Sequence, residues 1–197
     1  MSQHPDDPAD QIPELSRPTP LAPTTRDVIG PYYRKHAPIR AKVSPPLAPG
    51  DTLVIAGRVW GLDTRKPLPN SIIELWQADK DGVYDNEDKT RPPPRGSFHY
   101  RTTVITDEHG RYEFETIYPG PYQIQPSGVW RSPHIHYRVH AEGHKELTTQ
   151  LFFAGAPYLD TDPFCKPSLI IPLTDATAPN GGKYKYGEFE IVLVAST

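Results

Sequence analysis

Two histidines separated by one residue, His134 and His136 in the segment WRSPHIHYRVH, are the most informative feature of the sequence. On a β-strand, residues i and i+2 point to the same face, so both imidazoles are expected to project together. Neighbouring neutral imidazoles suit Zn, Cu, Fe or Ni. The pair alone does not distinguish a metal site from an ordinary surface or core pair of histidines.

The sequence leaves the remaining ligands of such a site open. His140 and Glu142 lie at even offsets from His136 and are candidates for a Zn or Fe(II) site. Tyr84 in DKDGVY and Tyr122 in YPGPY offer a different chemistry. A phenol has a pKa near 10, but a bound trivalent cation can hold it as phenolate. Two phenolates and two imidazoles would form a hard, anionic set suited to Fe(III).

Strands must position these side chains, because the composition disfavours helices. The chain has 25 prolines in 197 residues, against about 10 expected from average usage, and proline breaks helix interiors. Short apolar or alternating runs between turn residues predict strands at 52–60, 70–78, 98–106, 111–118, 133–141, 147–154, 167–173 and 187–195. This spacing favours an all-β, antiparallel sandwich. Trp76 and Trp130 are expected in its core.

The chain divides into an arm and a body. Residues 1–50 hold 11 of the prolines and no periodic hydrophobic pattern, which predicts an extended N-terminal arm over the body or a neighbouring subunit. Residues 51–197 are predicted to form the sandwich. The segment Gly30-Pro31-Tyr32-Tyr33 is expected to anchor the arm, because two aromatic residues follow a rigid turn.

The charge balance excludes several classes of partner. With 21 Lys and Arg against 24 Asp and Glu, the net charge is −3, and no basic footprint for nucleic acid or an anionic membrane exists. No apolar stretch approaches the ~20 residues of a bilayer span, and the start, MSQHPDDPAD, lacks the pattern of a secretory signal. A cytoplasmic protein is expected. Cys165 cannot form an internal disulfide, and neither it nor His99 receives a chemical role.

Four motifs in a fixed order make the pattern specific: ELWQAD…GVY, RYEFETIYPGPY, WRSPHIH and TTQLFF. From about Thr25 to the C-terminus the chain resembles the intradiol ring-cleavage dioxygenases. The resemblance implies one non-haem Fe(III) ion per chain, held by Tyr84, Tyr122, His134 and His136. It implies cleavage of catecholic rings with O2 between the two hydroxyl-bearing carbons, giving muconate-type dicarboxylates.

The resemblance also assigns roles around the metal. Tyr122 would accept a substrate proton, Arg131 would stabilise charge developing on the substrate, and Gln150 would be an active-site glutamine. Gly30, Pro31 and Tyr32 would line the substrate pocket. Alternatives from the residues themselves are an Arg131 that pairs with a carboxylate at a sheet edge and a Gln150 that packs in the interior.

Two departures from the family pattern leave the substrate open. The interval from Tyr122 to His134 is one residue shorter than in the protocatechuate enzymes, and Gln123-Ile124-Gln125 replaces an aromatic residue. The helical N-terminal domain of the catechol and hydroxyquinol members has no counterpart, so the build of a protocatechuate-type subunit or a short single-domain member is expected. A homo-oligomer, with a possible second type of subunit, is implied.

Two rival interpretations stand beside this one. Ile55 to Ile124 also resembles a prealbumin-like module that in most carriers is structural or adhesive, so a non-enzymatic binding module is the first rival. A Zn or Fe(II) enzyme built on the histidine pair is the second. Tyrosinate-to-Fe(III) charge transfer would colour the protein and separate the three.

Overall fold

The computed structural model describes residues 21–196, in which strands make up nearly all of the regular structure. A single turn of 3-10 helix, Pro167–Leu169, precedes the ninth strand. The strands in chain order are β1 Thr52–Gly61, β2 Ile72–Gln77, β3 Arg101–Ile105, β4 Arg111–Ile117, β5 Tyr122–Ile124, β6 Val129–Arg131, β7 His134–His140, β8 Leu147–Phe153, β9 Ile170–Ile171, β10 Thr174–Thr177, β11 Lys183–Glu188 and β12 Ile191–Leu193.

Two five-stranded sheets face each other across the core, and a separate hairpin stands beside them. One sheet has the order β10-β11-β1-β12, with β4 also paired to β1; the other has the order β3-β2-β7-β8-β9. The hairpin is β5-β6. The predicted all-β sandwich is confirmed. Its pairing is mixed rather than purely antiparallel, because β1 pairs in parallel with β11 and β12, and β8 pairs in parallel with β9.

Several predicted strand boundaries are wrong, and local geometry gives the reasons. The strand predicted at 98–106 begins only at Arg101, because Tyr100 adopts a positive φ of 55°. The strand predicted at 167–173 shrinks to two residues after the 3-10 turn. The strand predicted at 187–195 divides into β11 and β12 at Phe189, whose amide donates to the carbonyl of Ala56 at 2.9 Å. Strands β5, β6 and β10 were not predicted.

The two faces of β7 have different surroundings. Ile135, Tyr137 and Val139 are fully buried in the main core between the sheets. His134 and His136 alternate with them and therefore point to the opposite, outer face. Both histidines are nonetheless buried, with 3% and 2% exposure, so other parts of the chain must cover this face.

The two tryptophans expected in the core have different environments. Trp76 is buried, but in a second apolar cluster with Ala78 and Tyr84. Trp130 is 36% exposed and stacks on Tyr158 with the ring planes 6° apart. The expectation of a core position is therefore wrong for Trp130, because its neighbour Arg131 takes the inward position of β6.

The part of the N-terminal stretch that the structure describes lies along both sheets. Residues 21–50 contain no helix or strand. The amide of Asp27 donates to Thr148 at 2.8 Å, and that of Val43 donates to Glu115 at 2.8 Å, so the arm is bonded to both sheets. Residues 1–20 of the predicted arm, and Thr197 of the predicted body, lie outside the described residues. Within residues 21–196, no helix has the length and apolar character needed to cross a bilayer.

Candidate metal centre

The sheet register places three side chains in one row on the outer face. Trp76 on β2 lies directly opposite His136 on β7, which in turn lies opposite Gln150 on β8. Two residues earlier on β7, His134 lies opposite Phe152. The spacing of the histidines and the register of three strands therefore place both imidazoles on the same buried face.

Tyr84 lies on the loop after β2, and Tyr122 begins β5 directly after the loop from β4; these two loops meet backbone to backbone. The loop after β2 is closed by Asp79, whose carbonyl accepts the amide of Gly120 at 2.7 Å. A Cβ on Gly82 would lie 2.2 Å from the Pro121 carbonyl oxygen. The glycines of DGVY and YPGPY therefore permit the close approach that brings the two phenols to one site.

The four predicted ligands converge. The Nε2 atoms of His134 and His136 are 3.2 Å apart, and the Tyr84 hydroxyl lies 3.4 Å from His134 Nε2. The ring of Tyr122 meets that of Tyr84 edge-on, with centroids 5.6 Å apart, and lies 5.7 Å from the ring of His134. Two imidazole nitrogens and two phenols thus surround one small volume.

Burial favours the neutral form of both imidazoles, and a hydrogen bond holds His134 in the tautomer that binds a metal through Nε2. His134 Nδ1 lies 2.6 Å from the Ser132 carbonyl oxygen and must donate its proton to it, so Nε2 retains its lone pair. Burial, with a contribution from the Arg131 charge, lowers the pKa of His134 to about 3. Burial also lowers the pKa of His136 well below its usual value, with His134 contributing. Neutral imidazoles are the form required for ligation.

The phenols respond to burial in the opposite direction. Burial raises the pKa of Tyr84 well above 10, with a further contribution from Tyr122. Burial also raises the pKa of Tyr122, against a lowering by the charge of Arg131. A multivalent cation between the phenols would lower both of these pKa values and stabilise the phenolates. The donor set therefore fits a hard, highly charged metal ion.

Arg131 faces Tyr122 across the β5-β6 hairpin. The two residues are register partners, and Arg131 Nη1 donates to the Tyr122 hydroxyl oxygen at 3.2 Å. Arg131 Nη2 donates to Gln150 Oε1. Its Nε donates to Asp162, so the carboxylate pairing raised as an alternative exists as well. Arg131 and Gln150 are both buried beside the ligands.

The predicted substrate segment of the arm covers the site. Tyr32 stacks on Tyr84 with centroids 4.2 Å apart and planes 15° apart. A Cβ on Gly30 would lie 3.4 Å from Cε1 of His136, and Pro31 between them is exposed. The carbonyl of Tyr32 accepts a hydrogen bond from the buried Arg101 at 2.5 Å, which ties this part of the arm to β3.

The other candidate ligands are not part of this centre. His140 and Glu142 are exposed beyond the centre, at the far end of β7. Across residues 21–196, no group of three or more His, Cys, Asp or Glu side chains is arranged to hold a metal. The histidine pair thus has no carboxylate or third histidine beside it in this part of the chain. His99 is exposed and Cys165 is half-buried; neither joins the four ligands.

Two residues that support the site were not predicted. Asp162 binds Arg131 from 31 positions away, and no local pattern in a single sequence indicates such a pair. Ser132 supplies the carbonyl that fixes His134. That contact is local, and the position of Ser132 two residues before a predicted ligand could have indicated it.

An all-β sandwich with a mixed imidazole and phenol donor set on one covered sheet face defines the class of this protein. A family model with the description "Dioxygenase" matches residues 28–195. The chain is 37% identical over 154 residues to catechol 1,2-dioxygenase 2 of Acinetobacter lwoffii, covering 71% of this chain. The chain therefore belongs to the intradiol ring-cleavage dioxygenase family.

Solved structures give the same result. The 3-chlorocatechol 1,2-dioxygenase of Rhodococcus opacus aligns with a TM-score of 0.79 at 28% identity, covering 87% of this chain and 73% of that one. The dioxygenase domain of a carbohydrate-binding fusion protein from a Streptomyces species aligns with a TM-score of 0.71 at 31% identity, covering 89% of this chain and 100% of that one. By contrast, the chain spans only 54% of the Acinetobacter lwoffii enzyme.

Proposed function

We propose that this protein is an Fe(III) intradiol dioxygenase that cleaves a catecholic ring between its two hydroxyl-bearing carbons with O2. The product would be a muconate-type dicarboxylate. The convergence of two imidazole Nε2 atoms, 3.2 Å apart, with the buried phenol of Tyr84 and the half-buried phenol of Tyr122 carries the proposal. A site of this composition favours Fe(III) over Fe(II) or Zn, because phenolates stabilise the higher charge.

Tyr84, Tyr122, His134 and His136 would hold the ion. Bound Fe(III) would supply Lewis acidity toward the two substrate oxygens and an electron-accepting centre that makes the catecholate reactive with O2. The negative charge of the two phenolates and the positive charge of the ion would offset each other inside the site. Burial of either charge without the other would carry a large free-energy cost of desolvation.

The remaining residues act on the substrate and its protons. Tyr122 is the better placed of the two phenols to take a catechol proton, because it is half-buried and already accepts a hydrogen bond from Arg131. Arg131 would stabilise negative charge that develops on the ring during cleavage, where a preorganised cation acts most strongly. Gln150 would orient Arg131 through its side-chain oxygen.

The arm would form one wall of the substrate pocket. Gly30 lies against the ring of His136, and Tyr32 lies against that of Tyr84, so a substrate entering from this side contacts both. Gly30, Pro31 and Tyr32 would thus limit the size of ring substituents.

We further propose a homo-oligomer, supported by the exposed, directly opposed Ile72 and Ile105 on the outer sheet face. Sedimentation of the purified chain tests the oligomeric state, and ring cleavage by the chain on its own tests the need for a second subunit type.

The function is tested by loading the purified protein with Fe(III) and following oxygen uptake and product. The panel contains catechol, protocatechuate, hydroxyquinol and chlorocatechols. We expect a reddish protein and ring cleavage of at least one substrate. Tyr84→Phe should lose the colour and stable iron binding, whereas Tyr184→Phe, on the distant strand β11, should keep both. A colourless zinc protein, or a folded protein that binds no metal, would contradict the proposal.

A further inference from the structure

The carboxylate of Asp162 is the most completely bonded charged group near the metal centre. Its side chain has no exposed area. Arg131 Nε donates to both carboxylate oxygens at 3.0 Å. The backbone amide of Ser132 donates to Oδ2 at 2.8 Å, and that of Phe164 donates to Oδ1 at 2.9 Å. Both oxygens are therefore saturated by groups of fixed direction.

This bonding determines which edge of Arg131 faces the reaction. The guanidinium presents its N–H donors in a rigid planar fork. Asp162 takes the Nε edge, which leaves Nη1 toward Tyr122 and Nη2 toward Gln150. A planar group held at one edge by a buried carboxylate cannot rotate without breaking that ion pair.

The same carboxylate also acts on a ligand. Asp162 fixes Ser132 through its amide, and the carbonyl of Ser132 accepts the Nδ1 proton of His134 at 2.6 Å. Hydrogen bonds of this kind set the tautomer and ring orientation of a ligating histidine. The buried side chain of Asp162, on the loop after β8, is thus connected both to the guanidinium of Arg131 and, through Ser132, to the ligand His134.

We propose that Asp162 is a positioning residue for ring cleavage, which orients Arg131 toward the substrate and holds the Ser132 carbonyl against His134. The inference rests on the proposed function and deepens it. The hydrogen bonds of Asp162 go to Arg131, Ser132 and Phe164 and to none of the four ligands, so it acts on the site through Arg131 and Ser132. Removing its charge should impair the reaction more than substrate binding.

A second contact between the same two segments supplies a control. Trp130 on the hairpin stacks on Tyr158 of the loop after β8, with centroids 4.8 Å apart. Trp130→Leu therefore weakens the docking of the hairpin on this loop without touching the Arg131–Asp162 pair. Asp160→Asn is the control for charge, because Asp160 lies on the same loop at an exposed position.

The test is a double-mutant cycle of Asp162→Asn and Arg131→Gln in the iron-loaded enzyme, with the two controls. We expect Asp162→Asn to lower kcat by about 10- to 100-fold with little change in KM, as for other residues that support metal ligands. In the Arg131→Gln background it should cost little more, because residues that act as a unit are not additive. Asp162→Glu keeps the buried charge balanced and should recover part of kcat.

A second readout needs neither iron nor turnover. In the metal-free protein, the Arg131 Nε–H resonance, assigned by its loss in Arg131→Gln, should exchange slowly with solvent. It should broaden beyond detection in Asp162→Asn and persist in Asp160→Asn and Trp130→Leu. Undiminished kcat in Asp162→Asn, a fully additive double mutant, or an unchanged resonance would overturn the inference. If the wild type cleaves no catechol, the proposed function fails, and the resonance still decides whether Asp162 holds Arg131.

Discussion

Trp76 lies flat against the imidazole of His136, with ring centroids 4.8 Å apart and planes differing by 2°. The two residues are direct neighbours across β2 and β7. His136 Nδ1 is buried, and no group within residues 21–196 forms a hydrogen bond with it, whereas His134 Nδ1 is bonded to the Ser132 carbonyl. The stacked indole therefore takes the place of the hydrogen bond that usually orients a ligating histidine.

Trp76→Leu should lower iron affinity by about 10- to 100-fold, the range seen when the support of a metal ligand is removed. Trp76→Phe retains an aromatic face against His136 and should lose less. The measurement is iron retention against a competing chelator, followed by the colour of the protein. Tyr184→Phe, on the distant strand β11, should leave affinity unchanged. Equal affinity in Trp76→Leu and wild type would show that the stack does not orient the ligand.

Arg131→Gln should keep its iron and still bind catecholate, seen as a spectral shift in the absence of oxygen. Its kcat should fall by about 10²–10³-fold, the cost of losing one preorganised electrostatic donor. Arg131→Lys restores the charge but not the planar fork and should recover only part of the rate. Loss of iron in Arg131→Gln together with normal turnover in Arg131→Lys would assign a structural role instead.

Gly82→Ala should force apart the two tyrosine loops, because its Cβ would lie 2.2 Å from the Pro121 carbonyl oxygen. We expect lower iron affinity and a loss of about 1–3 kcal/mol in the free energy of unfolding. Gly96→Ala is a matched control: both glycines have φ of +83°, but nothing lies within 4 Å of a Cβ at Gly96. Both variants carry the same backbone strain, so the difference between their free energies of unfolding, measured with denaturant, gives the cost of the close contact at Gly82. A Gly82→Ala protein no worse than Gly96→Ala would contradict the loop contact.

Glu190→Gln should stabilise the protein at neutral pH. Burial raises the pKa of Glu190 in the folded state, against a hydrogen bond donated by Trp60. A raised carboxyl pKa means that folding favours the protonated form, so this contribution is fully present below the unfolded pKa and is lost as pH rises through the folded pKa. The gain from glutamine should therefore appear at pH 7 and vanish near pH 4. Denaturant unfolding at both values measures it, with Glu142→Gln, at an exposed position, as control.

The parts of the site that local patterns determine were predictable from the sequence. The alternation of His134 and His136 with apolar residues predicts both a strand and a shared face, and the structure has both. Glycines such as those before Tyr84 and Tyr122 are typical of turns, and the resemblance linked these two segments to the histidines. The all-β class followed from the prolines and from the short apolar runs.

The parts that depend on distant segments were not predictable. Asp162 reaches Arg131 only because the loop after β8 folds back over the hairpin, and residue type does not encode that path. Trp76 and Trp130 have the same hydrophobicity, yet one is buried and the other stacks at the surface. The parallel partners of β1 are β11 and β12, more than 100 residues later in the chain. Local hydrophobic periodicity predicts a strand but not which distant strand it pairs with.

Because side chains alternate along β7, the strand places apolar residues in the main core on one face of the sheet and the two imidazoles on the other face. A single residue inserted ahead of His134, accommodated by a shift in pairing, would turn every later side chain of the strand to the other face. Ile135 and Tyr137 would then enter the space between the tyrosines, while two imidazoles would enter the apolar interior. Such an insertion abolishes chemistry and folding together, whereas an exchange of one core residue for another of similar size leaves the ligands where they are. In a redesign of this protein, the interior can be changed residue by residue, but a change in length ahead of β7 has to be absorbed outside the strand, so that the pairing of β7 stays the same.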